Sequence, residues 1–126
     1  MSDDVEQQQH NGIAVSTVAA GNGMVVRVAG IVDMLTARTL VEHLDQALAR
    51  GPSTLIIDLT EVEFLASAGI TALINAHRIA GRACTVAVVA ANYATSRPIT
   101  LTKADREVTL CASMRDALTL LDRAAS

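Results

Sequence analysis

Aromatic side chains are almost missing from this chain: its 126 residues include one Phe, one Tyr and no Trp. That scarcity removes the stacking surfaces with which proteins grip single-stranded nucleic acid. It also leaves the core to Ala, Val, Ile and Leu within a composition that is 51% hydrophobic. Positive charge is in short supply as well. Ten Lys and Arg against thirteen Asp and Glu give a formal charge of -3 and a pI near 5.5, so no attraction toward DNA or RNA is expected. The two cysteines, Cys84 and Cys111, stand far apart without CxxC spacing. No basic segment leads into an apolar one at the N-terminus, and the expectation is a cytoplasmic protein. Uncharged stretches such as residues 83–96 are broken by Thr, Asn, Tyr and Ser. They fall short of the ~20 apolar residues a membrane helix needs, so no membrane partner is expected.

Several chemistries lack their residues. His10, His43 and His77 occur in no paired-ligand pattern and neither cysteine has a Cys or His neighbour, which removes the usual metal sets. GxxxxGK[ST] and GxGxxG are both absent, so no nucleotide-type cofactor is expected. Ser67 lies before Gly69 at a strand-to-helix junction, but a hydrolase elbow needs a small residue where this chain has Leu65. His77 would lie far along the same helix, out of reach as a base. Asp58 and the Glu61/Glu63 pair read as a solvated strand face rather than as acid catalysts. The expectation is a protein that is not an enzyme and holds no cofactor or metal.

The length suits one domain. Residues 1–11 are polar and read as a flexible leader, with a single domain over 12–123. Charge is unevenly spread: residues 1–63 carry nine acidic and three basic side chains, residues 64–126 four acidic and seven basic. Residues 13–19 and 24–29 are β-rich runs joined by a turn for which Asn22-Gly23 is the signal. Ala37, Leu40, Val41, Leu44 and Leu48 recur at helical spacing before Gly51-Pro52. Residues 55–59 are apolar at consecutive positions, as in a strand covered on both faces. A second helix starts near Ser67 and ends near Gly81, and residues 85–90 form another buried strand. Residues 91–98 read as loop, with Pro98 opening a short helix through Thr102. A short strand at 108–111 and a last helix capped by Ser113 and Asp116 close the chain. The fold class is therefore α/β, with a central mixed sheet of four to five strands and about four helices.

Ser67 is the residue on which function turns. A serine placed as first cap of the second helix meets the unpaired N–H groups of the first turn, an environment that favours a negative group such as phosphate. The stretch Asp58-Leu-Thr-Glu-Val-Glu-Phe-Leu-Ala-Ser-Ala-Gly-Ile70 resembles the signature of STAS-domain anti-sigma factor antagonists. In that family a strand ending in Asp-Leu leads through a Phe-apolar-Asp-Ser turn to a Gly. Gly30-Ile-Val-Asp33 with Thr36-Ala37 is similar to the family's Gly-Glu-apolar-Asp segment and helix start. Leu101-Thr-Lys-Ala-Asp105 and residues 113–118 resemble its C-terminal part, so the resemblance runs from Gly12 to Leu121.

The resemblance implies a STAS domain that binds an anti-sigma factor, itself a serine kinase, and thereby frees a sigma factor. It places the phosphoacceptor at Ser67 and the partner-binding residues at Asp33, Met34, Thr36, Ala66, Ser67, Ala68 and Gly69. A phosphatase that restores the hydroxyl is a further implied partner, with the domain a monomer or weak dimer. Added phosphate carries about -1.5 to -2 charge, which a helix N-terminus tolerates but an interface fitted to a hydroxyl does not. Three positions depart from the family pattern: Ala66 for Asp, Ile31 for Glu and Lys103 for Gly. The alternative is a ligand- or redox-sensing STAS module read through Cys84 and Cys111 instead of phosphate.

Overall fold

Among the described residues, six strands lie side by side in chain order in one mixed sheet. The computed structural model describes residues 5–10 and 12–125. Its elements are β1 (Val5–His10), β2 (Ile13–Ala20), β3 (Gly23–Val32), α1 (Ala37–Ala49), β4 (Thr54–Leu65), α2 (Ser67–Ala80), β5 (Thr85–Val89), α3 (Tyr93–Leu101), β6 (Thr109–Cys111) and α4 (Met114–Ala125), with a 3-10 turn at Ala104–Arg106 between α3 and β6. The strands β1, β2 and β3 pair antiparallel, whereas β3 through β6 run parallel.

Parallel strands need crossovers, and crossovers are right-handed. Because each successive parallel strand is added on the same side of the last, α1, α2 and α3 all fall on one face of the sheet. There Leu40, Leu44, Leu73 and Ile99 close over Val26, Val28, Leu55 and Ile57 in the larger core cluster. Full burial of such a side chain contributes roughly 1.5–3 kcal/mol. The other face is covered by α4, whose Ala117 and Leu121 pack on Val25, Ile56, Ala87 and Val89. The consecutive apolar residues of β4 are buried on both faces for this reason, as expected of a central strand.

The α/β class, mixed sheet and four helices agree with the sequence reading, and five of the strands are those expected. The sixth corrects it. Residues 5–10, read as part of a flexible leader, form β1 and pair with β2 from Val5 opposite Val18 to His10 opposite Ile13; residues 1–4 and 11 of that leader lie outside the described residues. Four polar residues in succession, Glu6 to Gln9, gave no apolar alternation, and the pairing comes from the backbone. The second hairpin is also shifted by one residue. Ala20 pairs with Gly23, so the turn is Gly21-Asn22, with Gly21 at φ 58 and Asn22 not at positive φ. This is the arrangement of a two-residue turn with glycine first.

Two further boundaries move. The strand β4 continues to Leu65 instead of ending near Leu59. The helix α3 begins at Tyr93, well before Pro98, because Asn92 caps it: the Asn92 side chain accepts the Thr95 N–H at 3.2 Å. At α4 the expected cap is present, with the Asp116 N–H donating to Ser113 Oγ at 3.2 Å.

Candidate functional site

The C-terminal ends of β3, β4 and β5 meet along one edge of the sheet, the edge at which open α/β sheets carry their ligands. From β3 the chain enters the turn 33–36, from β4 it enters α2 and from β5 it enters α3. Ala66 N–H donates to Val32 O at 2.8 Å, which ties the last residue before α2 to the end of β3.

Ser67 is the first residue of α2, and the cap position belongs to Ala66, with extended backbone at φ -83 and ψ 170. The serine therefore stands one residue further into the helix than expected, and the helix end has no side-chain cap bond. Its side chain is exposed. Among the described residues the Ser67 and Ala68 N–H groups make no backbone hydrogen bond, while those of Gly69 and Ile70 bond back to Ala66 O at 2.9 and 3.2 Å. An exposed hydroxyl thus sits beside the unpaired donors of a helix start.

Asp33 is bound into the neighbouring turn. Its Oδ1 accepts the N–H groups of Leu35 and Thr36, both at 2.9 Å. The Thr36 hydroxyl accepts the Asp33 N–H at 2.9 Å and donates to Ile31 O at 2.8 Å. These bonds hold the Asp33 carboxyl below its ordinary value, the Thr36 N–H having the largest effect. Thr36 itself is buried, whereas Met34 and Leu35 between the two residues are exposed.

Gly69 is buried beneath the serine. A Cβ there would come within 2.6 Å of both Leu65 Cδ1 and Val32 Cγ1, so glycine lets the first turn of α2 settle on the strand ends. Of the seven residues assigned to partner contact, Met34 and Ser67 are exposed, Ala66, Ala68 and Asp33 are half-buried, and Thr36 and Gly69 lie underneath.

Sequence reasoning missed Asn92. Its amide donates to Thr60 O at 2.8 Å while its carbonyl caps α3, locking β4 to the start of that helix. Leu35 and Phe64 on the same edge have no role in the sequence reading, although both are exposed apolar side chains, and Ile31, which stands where the family has Glu, is exposed as well. The exposure of Phe64 depends on its register against β3, which one strand's sequence does not reveal.

The other candidate groups are not brought together. Cys84 packs in the core under the helices and Cys111 in the cluster under α4, on opposite faces of the sheet. Burial pushes both thiols up, with the Asp116 carboxylate adding to the effect at Cys111, the setting of inert thiols. His77 lies near the far end of the helix that Ser67 begins. Buried His43 has its Nδ1 3.5 Å from Thr17 Oγ1, away from the serine. Among the described residues no group of three His, Cys, Asp or Glu is placed to hold a metal, and no helix is long and apolar enough to cross a membrane. A cavity of about 480 Å³ opens on the half of the sheet that α4 leaves bare, lined by Ser16, Arg27, Ala29, Asp58, Glu61 and Met114 among others.

Fold and site together define a small α/β module whose prominent hydroxyl stands on an open edge, with His43 and His77 away from it. The family model described as Mlab, STAS domain matches residues 15–116, and the chain belongs to the STAS-domain family of anti-sigma factor antagonists. Anti-sigma-F factor antagonist RsfB of Mycobacterium tuberculosis is 38% identical over 104 residues, covering 82% of this chain and 85% of RsfB. The crystal structure of an anti-sigma factor antagonist from Mycobacterium paratuberculosis superposes with a TM-score of 0.84 at 36% identity, covering 87% of this chain and 94% of that one. The antagonist SpoIIAA in its unphosphorylated form shares the fold, with a TM-score of 0.58 at 14% identity over 94% of this chain and 97% of its own.

Proposed function

We propose that this domain is a non-enzymatic antagonist that binds an anti-sigma factor serine kinase through the edge carrying Ser67, releases a sigma factor, and is switched off by phosphorylation of Ser67. The observation that carries the reading is the placement of Ser67: an exposed hydroxyl on the first residue of α2, beside unpaired N–H groups. The relatives named as anti-sigma factor antagonists supply the partner class.

A kinase needs an acceptor hydroxyl that it can reach, and Ser67 is one. The dianion it would create sits where the helix N-terminus stabilises negative charge, so the fold is retained. What changes is the interface, because a surface closed around a hydroxyl has neither space nor counter-charge for a phosphate. The turn 33–36, Ala66, Ala68 and Gly69 set the position of that hydroxyl. The domain works in the cytoplasm as a monomer or weak dimer, and a phosphatase resets it.

The redox alternative draws little support from the thiols, which are buried on opposite faces of the sheet. The experiment that tests the proposal is incubation of the full chain with the anti-sigma kinases of its source organism and Mg-ATP, with intact mass and site mapping. One added phosphate at Ser67, with loss of the complex, is the expected result. A complex that forms with no anti-sigma factor, or phosphate at other sites only, contradicts it.

A further inference from the structure

Phe64 is the one phenylalanine of a chain poor in aromatics, and the sheet is built to keep it out of the core. Side chains along a regular strand alternate between faces, so with Val62 buried Phe64 should be buried too. Against β3, however, β4 contributes an extra residue between Val62, opposite Gly30, and Phe64, opposite Ile31. The bulge leaves both Glu63 and Phe64 outside and returns Leu65 to the core. Bulges of this kind re-aim side chains and concentrate near functional sites.

The result is a run of large apolar side chains at the serine-bearing edge. Phe64 is 55% exposed, its cross-strand neighbour Ile31 42%, and the turn after β3 adds Met34 at 82% and Leu35 at 77%. The Ala66-to-Val32 hydrogen bond joins the two strand ends one residue from Ser67. Carboxylates border the run: Glu61 and Glu63, both exposed, on β4 and half-buried Asp33 at the turn. The cations of the flanking elements are Arg38, in the first turn of α1, and Arg27, further back on β3. Acidic groups outnumber them: Glu63 adjoins Phe64 along β4, and Glu61 lies further back, lining the same cavity as Arg27.

We propose that Ile31, Met34, Leu35 and Phe64 are the apolar centre of the anti-sigma factor interface, and that Glu61 and Glu63 select a partner whose facing surface is apolar with a basic rim. This rests on the function proposed above. Aromatic and aliphatic anchors at the centre of an interface hold the complex together, while rim charges govern encounter and its salt dependence. The hydroxyl of Ser67 is then a switch at the border of a surface whose affinity comes mainly from its neighbours.

The test is binding of the full chain to its anti-sigma factor by surface plasmon resonance, for the wild type, Phe64→Ser, Met34→Ser/Leu35→Ser and Glu61→Lys/Glu63→Lys. Circular dichroism and thermal melting confirm that each variant is folded. The expected result is at least a tenfold loss of affinity for each apolar variant, expressed as faster dissociation. The double lysine variant should associate more slowly, with a flattened or reversed salt dependence. Wild-type binding with all three variants within twofold of it overturns the inference and leaves the function standing. No wild-type binding to any anti-sigma factor overturns both. Self-association lost in Phe64→Ser, with anti-sigma binding unchanged, assigns the patch to a second copy of this chain and overturns the inference as well.

Discussion

Asp33 and Thr36 hold each other reciprocally: the Thr36 N–H donates to Asp33 Oδ1 and the Asp33 N–H donates to Thr36 Oγ1, each at 2.9 Å. The turn that presents Met34 and Leu35 is therefore shaped by its own ends. A residue assigned to partner contact is first of all a brace. Whatever Asp33 offers a partner, it offers through the carboxylate oxygen that these bonds leave over.

Replacing Asp33 by Ala removes the acceptor of the Leu35 and Thr36 N–H groups and lowers the melting temperature by a few degrees at neutral pH. Because the folded pKa lies below the ordinary aspartate value, the ionised carboxylate stabilises the fold above about pH 4. That contribution is lost as pH falls through the lower folded value. The gap between wild type and Asp33→Ala is thus widest near neutrality and narrows below pH 4, as melting curves across pH will show.

Gly69→Ala puts a methyl group against Leu65 and Val32. The Leu65 contact is a flexible chain end, but the Val32 methyl has little freedom to move. Overpacking of this kind costs about 1–3 kcal/mol. Urea denaturation should show a lower midpoint with an unchanged slope, and the complex should weaken because the first turn of α2 is displaced.

Asn92→Ala breaks two connections together, the cap of α3 and the amide bond to Thr60 O. A lost cap alone costs about 1 kcal/mol, and the second bond adds a similar amount. Hydrogen exchange should quicken at the start of α3 and around the bulged part of β4, and stay unchanged in α1.

Lys103→Gly should stabilise the protein. Lys103 is exposed and holds a left-handed backbone at φ 62, the one non-glycine positive φ among the described residues. That conformation costs a lysine roughly 1–2 kcal/mol, part of which glycine gives back as unfolded-chain entropy. A net gain of about 0.5–1 kcal/mol is expected from thermal melting.

Much of this architecture is readable from residue spacing. Leu40, Leu44 and Leu48 announce α1, Ser113 and Asp116 announce α4, and the unbroken apolar run 55–59 announces a strand buried on both faces. These signals are local, and each agrees with the packing that followed. β1 shows the limit: Glu6 to Gln9 carry no apolar face, although Asn11-Gly12 is a hairpin dipeptide that could have prompted the pairing. Asn92 before Tyr93 is likewise a cap signal. The site divides in the same way. Ser67 at a helix start follows from sequence, whereas the outward turn of Phe64 follows from a bulge defined only against β3. Glu61 and Glu63 pointed to a solvated strand face, and both are exposed, but the extra residue that brings Phe64 out beside Glu63 gives that face an apolar neighbour.

The measurement that bears most directly on the central claim is a paired titration of the anti-sigma factor kinase with Ser67→Ala and Ser67→Glu, run with and without Mg-ATP. The account predicts that Ser67→Ala binds like the unmodified wild type and stays bound when ATP is added. Ser67→Glu should bind at least tenfold more weakly under both conditions, while the wild type loses its complex only with ATP. A Ser67→Ala complex that ATP still dissolves, or a Ser67→Glu complex as tight as the wild type, would contradict it.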